Sequence, residues 1–75
     1  MKIYPNPAND KVIIENIWRQ SVLLKIYDLL GTVVINEIIH GDKTQIYVKD
    51  LCNGVYVLEF ISEDKSLQER LIIHR

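Results

Sequence analysis

The chain has 75 residues, 48% of them hydrophobic and 25% charged, with a net charge of −1 from nine basic and ten acidic side chains. That is one small domain, able to bury only roughly 60–65% of the surface its unfolded form exposes, and the scattered charge excludes the basic footprint of a nucleic-acid binder. Cys52 is the single cysteine, which excludes an internal disulfide framework and a cysteine-built zinc site, and no apolar run approaches the ~20 residues of a membrane-spanning helix.

The first extended run, residues 2–4, leads into Y-P-N-P-A, which holds both prolines of the chain, Pro5 and Pro7. They fall where the apolar stretch of a signal peptide would have to be. Proline donates nothing to a sheet ladder and drives the preceding residue into extended conformations. Tyr4 and Asn6 are therefore expected in a stiff corner leaving a short edge strand. Asn6, Asn9 and Asp10 are expected to bond neighbouring backbone amides through that bend.

Strands are expected next over residues 11–17 and 21–28, where Val22, Leu24 and Ile26 share one face and Lys25 points the other way. Gly31, in D-L-L-G-T, suits the positive φ of a short hairpin loop with a bulge. A strand over 32–39 ends at a second tip carrying Gly41 and Asp42, and another is expected over 44–49. L-C-N-G-V-Y, residues 51–56, is a special corner. Asn53 and Gly54 make the turn and Leu51 plugs the end of the sandwich. Tyr56 stands like the tyrosine of a tyrosine corner, ring in the core and hydroxyl on nearby backbone. In the strand over 54–61, Tyr56, Leu58 and Phe60 lie opposite Glu59. Beyond the polar loop 62–66, the run 67–74 puts Leu67, Leu71 and Ile73 opposite Gln68, Arg70 and His74. The period is two throughout, and seven short strands without a helix predict an all-β antiparallel sandwich in one domain, residues 1–75.

Catalytic and ligand chemistry finds little support. His40 and His74 are 34 residues apart in no ligand spacing, and no histidine or basic side chain neighbours Cys52, which is expected as a partly buried, inert thiol. Ser21, Ser62 and Ser66 lie in no nucleophile elbow. Asp10, Asp28, Asp42, Asp50 and Asp64 sit at or beside turns, and the three glycines form no phosphate-binding pattern. The expectation is a non-enzyme without cofactor or metal. Trp18, Leu23, Tyr27 and Tyr47 are placed on outward faces or loops. If they cluster, they form an aromatic patch for a sugar or a protein partner; a one-residue shift of register would move the strand members into the core. Val33 and Ile35 against Val34 and Ile38 leave apolar residues on both faces of one strand, which suits pairing with a second copy.

Four signals stand in a familiar order: Y-P-N-P-A-N-D-K-V-I-I, V-L-L-K-I-Y-D-L-L-G-T-V-V, L-C-N-G-V-Y-V-L-E-F and a terminal R-L-I-I-H-R. Together they resemble the type A C-terminal sorting domain of the type IX, or Por, secretion system over essentially the whole chain. The resemblance implies an immunoglobulin-like seven-stranded β-sandwich at the end of a larger secreted protein. It also implies passage of an N-terminal cargo through the periplasm and across the outer membrane, and removal of the domain by a sortase-like peptidase at the cell surface. By position, Pro5, Asn6 and Pro7 match the opening motif, Gly31 the glycine after the I-Y-D strand, and Leu51, Gly54 and Tyr56 the L-x-x-G-x-Y motif. Arg70 stands where the family has a basic residue. Residues 71–75, with Leu71, Ile72 and Ile73, match the terminal segment that carries export information and stays available to a receptor as an edge strand. Cargo, signal peptide and linker are missing before Met1. The chain is therefore expected to be a fragment of a longer precursor, or a small independent reading frame. The alternative is a carbohydrate-binding or adhesive sandwich with Trp18, Tyr27 and Tyr47 as its platform, or a structural spacer.

Overall fold

Alternation of β-branched and polar side chains needs one covered face per strand, and two sheets packed together supply it. The computed structural model describes all residues, 1–75, as seven strands: β1 (Lys2–Tyr4), β2 (Lys11–Glu15), β3 (Val22–Tyr27), β4 (Val33–Ile39), β5 (Lys43–Tyr47), β6 (Gly54–Ile61) and β7 (Ser66–Ile73). Each expected run holds one strand. The first long run stops at Glu15 instead of residue 17 because Asn16 is buried and turns the chain. Its Nδ2 donates to the Gln20 carbonyl at 2.8 Å, and its Oδ1 accepts from the Trp18 N–H at 3.0 Å.

All pairings within the sheets are antiparallel, and the sheets are ordered β1-β2-β5 and β4-β3-β6-β7. Compared with the constant-type immunoglobulin arrangement, the fourth strand has moved beside the third. The reason is local. Asp28 Oδ1 accepts from the N–H groups of Leu30 and Thr32 at 2.9 Å, and Gly31 takes φ +87°, so a tight hairpin keeps β4 on the edge of β3. The expected bulge lies next to it, where Ile26 pairs Ile35 but Tyr27 pairs Val33, leaving Val34 as the extra residue.

The alternation read from the sequence decides the core. Val12 and Ile14 of β2 face Val22, Leu24 and Ile26 of β3, Leu58 and Phe60 of β6, and Leu71 and Ile73 of β7, all essentially without solvent exposure. Full burial of each such side chain contributes about 1.5–3 kcal/mol.

Candidate functional site

Ser21 Oγ lies 2.9 Å from His40 Nδ1, but the pair is exposed, and no three His, Cys, Asp or Glu side chains converge as a metal site. Cys52 is exposed rather than partly buried, because the turn that presents it lies outside the sandwich end that Leu51 closes.

The opening corner does something the sequence reading missed. Pro5, Asn6 and Pro7 are exposed, the peptide bonds before both prolines are cis, and Ala8 is completely buried. Residues 6–8 leave β1 in the three-stranded sheet and lie along the outer edge of β7 in the other sheet. Asn6 Nδ2 donates to the Arg70 carbonyl at 2.9 Å, and the Ile72 N–H donates to Asn6 Oδ1 at 3.0 Å. The Ala8 N–H donates to the Ile72 carbonyl at 2.8 Å and the His74 N–H to the Ala8 carbonyl at 2.9 Å, a parallel bridge. Asn6 was expected to bond its neighbours; it bonds the far end of the chain instead. With two donors and one acceptor on a short stem, an asparagine can reproduce one rung of a strand, which an alanine cannot.

The second corner matches its expectation. Gly54 has φ +156°, a conformation that side-chain-bearing residues avoid, and Leu51 packs against the core. The Tyr56 ring is buried, and its hydroxyl donates to the Cys52 carbonyl at 2.7 Å, at the start of the strand where an immunoglobulin sandwich carries its tyrosine corner. Arg75 reaches this corner from the C-terminal side. Its guanidinium donates to the carbonyls of Leu51 at 2.6 Å and Val48 at 2.7 Å and pairs with Asp10 at 3.2 Å, while its N–H donates to Asn53 Oδ1 at 3.1 Å. Asp10, expected to serve its own bend, thus faces the last residue. One side chain fastens the β1–β2 connection, the β5–β6 connection and the end of β7.

A sequence profile of the secretion system C-terminal sorting domain matches residues 2–74. The chain belongs to that family. A sorting domain of this kind is a C-terminal secretion-targeting signal of the type IX system, and it marks its bearer for export to the cell surface or beyond. An endo-acting ulvan lyase of Formosa agariphila is 28% identical over 74 residues, which cover 97% of this chain and 14% of that protein.

Within this sorting domain the remaining named residues take distinct places. Arg70 is exposed, on the outer face of β7 and opposite Val57, whereas Leu71 and Ile73 are core residues and Ile72 is half-buried. The terminal segment is therefore no loose tail. Its inner side chains hold the sandwich, and its outer backbone edge is already bonded by residues 6–8.

Trp18 is half-buried against the core, with the Lys65 ammonium 5.1 Å from its ring centroid. Tyr47 is 64% exposed on β5 of the three-stranded sheet, and Tyr27 lies on β3 of the four-stranded one, its hydroxyl donating to Glu59 Oε1 at 2.8 Å. Tyr27 and Tyr47 point outward from opposite sheets, so the three aromatics form no common platform. The bond to Glu59 pushes the Tyr27 phenol above its ordinary value. Hydrogen bonding to Tyr4 holds the Glu15 carboxyl below its ordinary value against a smaller opposing effect of desolvation, helped by Lys43 and Lys2.

Sequence reasoning missed Asn6, Ala8 and Arg75 as partners of the opposite terminus. The one available signal was the unusual pairing of a P-N-P corner at one end with an arginine at the other.

Proposed function

We propose that residues 1–75 form the single terminal domain of a longer exported precursor and act there as a recognition module without catalysis or cofactor. In this reading, the machinery meets a composite surface: the exposed corner of Pro5, Asn6 and Pro7 together with the outward side chains of Arg70 and Ile72, while Leu71 and Ile73 hold the core beneath it. Gly31, Leu51, Gly54 and Tyr56 hold the fold that presents it. A sortase-like peptidase then separates domain from cargo, and two precursors pair while in transit. The observation that carries the reading is the clamp of Asn6 on Arg70 and Ile72, which makes the two ends of the motif order one surface.

The test is a fluorescent passenger with a signal peptide, fused ahead of residues 1–75 in a bacterium with an intact type IX system. The fusion is expected outside the cell. Arg70→Glu, on an exposed position, is expected to fold normally and remain in the periplasm. Undiminished export of folded Arg70→Glu and Asn6→Ala fusions would remove this corner from the recognition surface.

A further inference from the structure

The outer face of the four-stranded sheet carries a pattern that fits its own copy. Cross-strand register aligns Ile38, Leu23 and Ile61 in one row and Val33, Tyr27 and Val57 in another. Between the rows Lys25 stands directly opposite Glu59. None of these residues is buried, Ile38 is 62% exposed and Val33 42%, and the three-stranded sheet packs against the other face. On β7 the same rows end in Ser66, Gln68 and Arg70, so two apolar rows flanking one charge pair on β4, β3 and β6 carry a polar rim, the composition of a sheet-on-sheet interface.

We infer that this face is the contact through which two copies pair, deepening and resting on the pairing proposed above. A two-fold axis parallel to the strands, running between β3 and β6, settles the chemistry. It sets Leu23 of one copy over the Ile61 position of the other, and Tyr27 over the Val57 position. Lys25 then meets the Glu59 position twice, once on each side of the axis. Stacked sheets lie ~10 Å apart, a gap that a lysine and a glutamate reach across. The face is four strands wide at ~4.8 Å each and up to eight residues long at ~3.4 Å each, roughly 500 Å² per copy. The total, roughly 1,000 Å², is at the lower limit for a specific contact, so a weak dimer is expected.

The test uses the full chain in sedimentation equilibrium over about 5 to 500 μM, the range in which a weak dimer forms. Lys25→Glu and Glu59→Lys are made singly, and the circular dichroism melt of each confirms folding. The wild type is expected to move from monomer to dimer mass across this range, and each variant to associate about tenfold more weakly or less. An equimolar mixture of the two variants places glutamate against lysine on both sides of the axis, so it is expected to regain dimer mass. A folded wild type that stays monomeric to 500 μM would overturn the pairing itself. A wild-type dimer that both single variants match would leave pairing intact and overturn this face as its site. Two weakened variants whose mixture stays monomeric would overturn the two-fold geometry.

Discussion

Asn6 holds Ile72 across 66 residues of sequence, its Oδ1 accepting from the Ile72 N–H at 3.0 Å while its Nδ2 donates to the Arg70 carbonyl at 2.9 Å. The first motif of the chain thereby completes the edge of the last strand. Losing both bonds in Asn6→Ala is expected to destabilise the fold by about 1–2 kcal/mol, as the site is exposed and water replaces part of the interaction. Urea unfolding measures the loss, and faster amide exchange at Ile72 locates it. Unchanged exchange at Ile72 would contradict the clamp.

Arg75 gives a larger effect. Its guanidinium donates to two backbone carbonyls, and charge-assisted bonds of that kind contribute more than neutral ones. Arg75→Ala is expected to cost about 2–3 kcal/mol, and Asp10→Ala less than about 1 kcal/mol, because Asp10 is 69% exposed. Equal losses in thermal unfolding would mean that the ion pair, not the carbonyl contacts, is what matters.

Deletion of residues 71–75 is expected to unfold the domain rather than silence a signal. It removes Leu71 and Ile73 from the core together with Arg75. Core truncations of this kind cost about 2–5 kcal/mol each, against a total stability of about 5–15 kcal/mol. Circular dichroism of the truncated chain decides the matter, and export assays on the final strand need point variants with exposed side chains.

The two special conformations of the second corner separate cleanly. Gly54→Val has space for its Cβ, whose nearest neighbour is Tyr56 at 3.9 Å, but not the backbone angle. A loss of about 1–3 kcal/mol from strain is expected. Tyr56→Phe keeps the ring and loses the bond to Cys52, so a smaller loss of about 1 kcal/mol is expected. A Gly54→Val melting temperature equal to wild type would contradict the positive φ.

Acid and alkali should act on different groups, a carboxyl and a phenol. The Glu15 carboxyl titrates lower in the fold than in the unfolded chain, so its contribution is present above the ordinary carboxylate value and lost as pH falls through the lowered one. The Tyr27 phenol titrates higher in the fold, so its contribution is present below the ordinary phenol value and lost as pH rises through the raised one. Glu15→Gln is expected to flatten the acid limb of stability measured by urea at successive pH values. Tyr27→Phe is expected to flatten the alkaline limb.

The seven strands were legible because alternation is a property of neighbouring residues. Val22, Leu24 and Ile26 had to share a face whatever else the chain did. The hairpin at Asp28 and Gly31 and the corner at Gly54 and Tyr56 were legible for the same reason, since their bonds close within a few residues. Cys52 was misread as partly buried because its neighbour Leu51 packs inward while the turn itself stands in solvent. Tyr27 and Tyr47 were both correctly placed facing out, yet alternation assigns a side and not a sheet.

By itself, then, the sequence determined the strands, the turns, the faces and, through four ordered motifs, the family of sorting domains to which the chain belongs. Only the tertiary structure decided which strand became which edge. From that followed the clamp of Asn6 on Ile72, the reach of Arg75 to Val48 and Leu51, and the outward face that aligns Lys25 with Glu59. Local preferences act through a few residues of backbone and side chain, whereas edge and sheet membership are chosen by burying one shared core, a condition that involves every strand at once.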